Sequence, residues 1–151
     1  MIAGTIYTSL ISTLEGNPSL SIYIKNVFSG FRFDIDSASM PCIMVEPTAD
    51  GEIERNMNEN QYIFLDLNIY ALTYNVAHPE KAIVGDDNYK GVFDINNDIR
   101  GCLLSSYSLN NQVADIKIGT TLFDNIQGIT KYPVRGLMMP VKILYKQTSG
   151  V

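Results

Sequence analysis

The side chains in this chain that could do chemistry are few. Asp34 and Asp36 in the stretch RFDID point the same way if the backbone is extended, and Asp66 on a later strand could join them. Such carboxylates could gather a divalent cation and activate water for hydrolysis. The spacing is common by chance, however, and solvation of strand ends accounts for the same residues. In DDNYKGVFDINN, residues 86–97, Asp86, Asn88 and Gly91 fall at positions one, three and six of a calcium loop. The match then fails, because Lys90 stands at a ligand position and Asn97 where a bidentate Glu is wanted; charges at a helix N-terminus explain the acids better. His78 is the single histidine and sits in the polar run AHPEK, so a Ser-His or Cys-His pair would have to be built on it. One His and two distant cysteines supply no multi-ligand zinc site. Neither a GxxxxGK[ST] nor a GxGxxG loop occurs. No catalytic, metal or cofactor residues are therefore assigned.

The totals point the same way. The formal charge is −5, and the eleven Lys and Arg residues are scattered, which argues against a surface that neutralises many phosphates. The chain is 46% apolar but only 18% charged, with Asn, Ser, Thr and Tyr supplying much of its polarity. That balance suits extensive protein contacts. Cys42 beside Pro41 and Cys102 on an apolar helical stripe read as small buried hydrophobes in a reducing compartment, in preference to a disulfide. The N-terminal segment lacks a basic and then apolar leader pattern, and no stretch is apolar enough to span a membrane, so a cytoplasmic protein is expected.

A length of 151 residues fits one domain, 1–151. Ile2, Ile6, Leu10 and Leu14 recur every four residues and predict an amphipathic helix that Gly16-Asn17-Pro18 stops. Residues 22–35 read as short extended pieces around Ser29-Gly30. PCIMVEP, residues 41–47, reads as a core strand ended by its prolines. TADGEIERNMNEN, residues 48–60, holds four acids against Arg55 and reads as a long acidic hairpin loop. QYIFLDLNIYALTY, residues 61–74, alternates as a long strand, and residues 75–90 read as irregular. Val92, Ile95, Ile99, Cys102 and Leu103 have the spacing of a second helix, with Asn110-Asn111 as its expected end. Residues 113–118 and 136–147 alternate as strands, the latter at an edge or bulged at Pro140. The expected fold is α/β in the α+β sense: a mainly antiparallel sheet of about four strands with two helices on one face.

That architecture raises the question of what covers the second face of the long strand. Ile63, Leu65, Leu67 and Ile69 form its core side, whereas Tyr62, Phe64, Asp66, Asn68 and Tyr70 share the other. Aromatics interleaved with polar groups could stack nucleic-acid bases, but Asp66 sits where a basic groove is wanted. Two coverings remain: the chain's own residues 75–90, or another protein chain.

In organisation the sequence resembles the tail terminator, or tail-completion, proteins that cap the tail tube of long-tailed bacteriophages. The resemblance lies in a helix of the IYTSLISTLEG kind, the strand MPCIMVEP, a long polar excursion, then QYIFLDLNIYAL, the helix VFDINNDIRGCLL and the terminal strand LMMPVKILYK. It covers most of the chain, while residues 22–35 and 121–135 depart from the pattern. It implies a non-enzymatic virion protein, assembled in the host cytoplasm, whose copies form a hexameric ring between the tail tube protein and the neck or head-completion protein. DNA could pass through the lumen without specific binding. On that reading Tyr62, Phe64, Asp66, Asn68, Tyr70, Glu52, Glu54 and Arg55 are interface residues. Another head–tail connector or baseplate protein, a metal-dependent hydrolase using Asp34, Asp36 and Asp66, and a small monomeric binding module are the alternatives.

Overall fold

A computed structural model describes residues 2–33, 35–55, 60–73, 79–106, 109, 113–126 and 134–148. Helix α1, Ile2–Gly16, buries Ile6, Leu10, Ile11 and Leu14 along one stripe, as their spacing demands. It ends at Gly16, and Asn17 at once starts a second short helix, α2, Pro18–Ser21. The Asn17 Oδ1 accepts the backbone N–H groups of Ser19 and Leu20 at 3.0 and 3.1 Å, with Pro18 in the first turn, where no intrahelical donor is needed.

The sheet contains β1 (Asn26–Ser29), β2 (Cys42–Arg55), β3 (Asn60–Thr73), β4 (Asp115–Ile118), β5 (Leu122–Ile126) and β6 (Val134–Thr148). Its order is β1-β2-β3-β6, and the long β6 then carries β4 along Val141–Leu144 and β5 along Val134–Met138. Pairing is antiparallel except between β1 and β2, which are parallel. The α+β class and the antiparallel character match the sequence reading; the sheet is wider, with six strands among the described residues.

Residues 48–55 differ from expectation. They are strand, not loop: β2 runs on through Pro47 to Arg55 and pairs with β3 as far as Arg55↔Gln61. Polar composition shows only that both faces of this stretch can meet water. The ladder itself is made by backbone groups, and the apolar β3 supplies the partner. Irregularities between Pro47 and Ala49 and between Glu52 and Glu54 bend this half of β2.

The two sheet prolines are accommodated by the direction of their missing donors. Val45 O accepts from Gly30 N–H on the β1 side, so by strand alternation Pro47 also faces that side, beyond the end of β1. Pro140 O accepts from Gly119 N–H at 2.8 Å, so Pro140 faces away from β3, into the gap between β4 and β5. Neither proline removes a bond from the central ladder.

Helix α3, Pro79–Val84, lies in the stretch read as irregular, and packs against α4, Val92–Ser105. Helix α4 buries Val92, Ile95, Ile99, Cys102 and Leu103, the five residues its periodicity predicts. Its first turn is closed by Asp94, whose carboxylate accepts Gly91 N–H at 3.2 Å. With α1 and α2 it covers one sheet face, where Ile43, Val45, Leu65, Leu67, Ile69, Met139, Val141 and Ile143 form the main core.

Candidate protein-binding face

Strand alternation sends Tyr62, Phe64, Asp66, Asn68, Tyr70 and Leu72 to the second sheet face, as expected. The structure divides this face in two. At one end a second, smaller core joins Ile35, Met40, Cys42, Met44, Leu72 and Val134, with Phe28, Phe31 and Tyr70 packed on it. The cover is the chain's own residues 30–33 and 35–41. It turns off the β1 edge at Gly30, whose φ of +87° is open to glycine at little cost. Phe31 N–H then donates to Glu46 Oε2 at 2.7 Å, and the Phe31 ring meets Tyr70 edge to face at 4.9 Å and Phe33 at 5.2 Å.

Tyr70 is thus half-buried against its own chain. Of residues 75–90, 75–78 lie outside the described residues; α3 packs on α4, and Lys90 lies 5.7 Å from the Tyr23 ring, beside the other sheet face.

The other end carries Tyr62, Phe64, Asp66 and Asn68, all intermediate in exposure. Phe64 pairs across the ladder with Gly51 and Leu144, and its ring rests over Gly51, which has no side chain to displace it. The Lys142 ammonium sits 4.2 Å from the centre of the same ring. Asp66 lies opposite Ala49 and Lys142, and Lys142 in turn opposite Lys117. Between them Thr48, Asp66, Asn68, Lys117, Pro140 and Lys142 line an open hollow of about 530 Å³. Apolar rings with mixed charges around an open hollow in the middle of a sheet suit a protein surface.

Glu52, Glu54 and Arg55 lie on β2 opposite Ile63, Tyr62 and Gln61; their side chains are outside what the structure describes. Asp50 is tied down, accepting from the Tyr145 hydroxyl at 3.1 Å. Burial and the Asp50 carboxylate push the Tyr145 phenol up to about 12. Burial, then the hydrogen bond to Asp98 at 2.6 Å, raises the Tyr23 phenol further.

Two of the carboxylates weighed for chemistry, Asp36 and Asp86, have structural employment. Asp36 Oδ1 accepts Ala38 N–H at the short 3-10 turn Ser37–Ser39, while Asp34 and His78 lie outside the described residues. Among the described residues, no three His, Cys, Asp or Glu side chains converge as a metal-ligand set. In the calcium-like stretch, Asp86 Oδ1 accepts the N–H groups of Asn88 and Tyr89, both at 2.8 Å, and Asp86 pairs with Lys81 at 3.3 Å. These bonds, the one from Asn88 first, hold its carboxyl below the usual range. Cys42 and Cys102 are both buried and free, one in each core on opposite sheet faces, so a disulfide between them is excluded by the fold. No helix among the described residues is long and apolar enough to cross a membrane.

Three functional candidates escaped the sequence reading: Lys142 and Leu144 on β6, and Lys117 on β4. Their alternation was visible, but only the pairing register brings them beside Phe64 and Asp66. In comparisons with known proteins, no family model matches the chain and no curated protein matches it.

Proposed function

We propose that this chain is a non-enzymatic structural subunit that works by surface complementarity, a tail terminator whose copies form a ring that caps a phage tail tube and offers a joint to the neck. One observation carries the reading: the middle of the sheet is covered by helices on one face, while on the other Phe64, Tyr62, Leu144 and Pro140 remain partly open beside Lys142 and Asp66. A partner that covers this surface gains apolar burial of roughly 25 cal/mol per Å² at rings already held in place by the ladder. The organisation of the sequence, helix, strand, polar excursion, long strand, helix and terminal strand, supports the family reading, and a hexamer is the ring it implies. Phe64 and its neighbours Leu144 and Lys142 are the docking residues; Tyr70 serves the subunit's own core edge.

The test is binding of the purified chain to preformed tail tubes, scored by electron microscopy and co-sedimentation. Phe64→Ala combined with Lys142→Glu is expected to abolish capping while circular dichroism stays unchanged. Capping at wild-type level by that double variant would sink the assignment of this face.

A further inference from the structure

Large apolar side chains stand exposed on β5 and in the chain that precedes and follows β1, and the ladder does not explain them. At one edge, β1 is flanked by Ile22, 83% exposed in the turn leading toward it, and Phe33, 70% exposed beyond the Gly30 turn. At the other, β5 carries Leu122 at 56% and Phe123 at 41%, and Phe123 meets Phe93 of α4, 48% exposed, edge to face at 5.1 Å. Strand edges also present unpaired backbone N–H and C=O groups, which natural proteins usually blunt or cover. Contiguous exposed apolar surface, such as the Phe93–Phe123 pair, marks an interaction site.

The ladder places these two edges level with one another. Three rows cross the whole sheet: Asn26–Cys42–Leu72–Gly136–Asp124, Val27–Ile43–Ala71–Leu137–Phe123 and Phe28–Met44–Tyr70–Met138–Leu122. Following the pairings, β1 and β5 run in opposite directions. A second copy set beside the first by rotation about an axis along the strands would bring its β1 against β5 antiparallel, with little shift along the strands. Such a heterologous contact closes into a ring when the rotation closes, whereas a large shift would give an open helix. Charged side chains lie at both edges: Lys25, Arg32 and Glu46 around β1, and Asp124 on β5.

We infer that the β5 edge, with Leu122, Phe123 and Phe93, docks onto the β1 edge of a second copy of this chain, with Ile22, Phe33 and Arg32, continuing the sheet from subunit to subunit. The inference rests on the reading of the protein as a ring-forming subunit and names the surfaces that would join its copies. These edge contacts leave the Phe64 face uncovered.

The experiment uses two variants of the full chain: Ile22→Ser/Phe33→Ser, which alters only the β1 edge, and Leu122→Ser/Phe123→Ser, which alters only the β5 edge. Native mass spectrometry and sedimentation velocity read their assembly, and circular dichroism reads their fold. Wild type is expected to form a closed oligomer, and each variant to be a folded monomer of about the wild-type chain mass, 16.8 kDa. Mixed in equal amounts, the variants retain one intact edge each and are expected to form a heterodimer and nothing larger. Three results would overturn the inference: a wild type that stays monomeric at every concentration, variants that keep the wild-type oligomer, or a mixture that yields no heterodimer. A ring that forms through these edges but fails to cap tubes would leave it standing and remove the functional reading instead.

Discussion

The Tyr145 hydroxyl on β6 donates to Asp50 on β2 across the intervening β3, 3.1 Å from Oδ1 and 3.4 Å from Oδ2. Asp50 is the second residue after Thr48, where β2 steps out of register, so this bond pins the outer half of β2 onto the sheet beyond that irregularity. Tyr145 is 3% exposed and Asp50 is exposed, which makes this a bond between a buried donor and a solvated acceptor.

Tyr145→Phe is therefore expected to lower stability by about 1 kcal/mol, the usual net worth of such a bond. It should also change the alkaline limb of the stability curve. The folded phenol titrates near 12, above its unfolded value of about 10. In that interval the folded state holds a proton that the unfolded state has lost, so stability is fully present below about pH 10 and falls as pH rises toward 12. Urea midpoints of wild type should drop over that range, and those of Tyr145→Phe should drop less. Equal slopes would mean that Tyr145 does not carry this effect.

Phe31 and Phe64 lie on the same sheet face yet should answer differently to truncation. Phe31 packs on Tyr70 and closes the smaller core, so Phe31→Ala is expected to cost about 2 kcal/mol. Phe64 makes its described contacts with Gly51 and the Lys142 ammonium, and Phe64→Ala should cost about 1 kcal/mol or less. Paired urea denaturation curves check the order; a larger loss at Phe64 would mean that its ring is core.

The helices and the two long strands were legible because their burial is periodic. Ile6, Leu10 and Leu14, then Val92, Ile95 and Ile99, then Leu65, Leu67 and Ile69, then Met139, Val141 and Ile143 are all buried where spacing puts them. The outer half of β2 was not, since Glu52 and Glu54 report what their side chains can face and not what their backbone pairs with. The parallel pairing of β1 was hidden for the same reason: Asn26–Ser29 is too short for its periodicity to name a neighbour. Of the candidate face, the alternation of Tyr62 to Tyr70 was readable, but its division was not. Only the path of residues 30–33 and 35–41 puts Phe31 over Tyr70. Helix α3 did carry a signal, Pro79 followed by Glu80, the chemistry of a helix first turn.

Two glycines should respond to alanine with opposite signs. Gly85 holds φ at +83°, and a Cβ there would collide with Asp94 Oδ2 and lie 2.8 Å from the backbone of Gly91 and Tyr89. Gly85→Ala is expected to lose at least about 2 kcal/mol from left-handed strain and the clash with backbone that cannot move aside. Gly101 lies within α4, exposed, with nothing within 4 Å of an added Cβ, so Gly101→Ala should gain about 0.5–1 kcal/mol of helix propensity. Thermal melts of the two variants, moving apart from wild type in opposite directions, are the check.

The thiols should be silent in the native protein. Cys42 is 0% and Cys102 2% exposed, and burial pushes the Cys42 thiol up to about 12, far from thiolate at neutral pH. Ellman's reagent at pH 8 is expected to label neither residue until denaturant is added, and then both. Fast labelling of either in the absence of denaturant would place that cysteine at an accessible surface.

The last prediction concerns how the β5 edge is held. Arg100 on α4 donates through Nη2 to Gly119 O at 2.8 Å and to Thr121 Oγ1 at 2.9 Å, and the Thr121 hydroxyl donates to Asn96 Oδ1 at 2.8 Å. These bonds clamp the turn between β4 and β5 onto the helix, at the gap in the ladder where Pro140 offers no donor. Arg100→Ala removes the clamp but leaves an exposed carbonyl that water can reach, so the global cost should be only about 1 kcal/mol. The local effect should be larger. Among the described residues β5 would then be held by its ladder to β6 and the Phe93–Phe123 contact, and amide hydrogen exchange over Thr121–Ile126 should speed up more than anywhere in β3. If the ring forms through β5, Arg100→Ala should also weaken assembly without altering any residue placed at the contact. Unchanged exchange at β5 in this variant would show that the ladder to β6 suffices to order the edge.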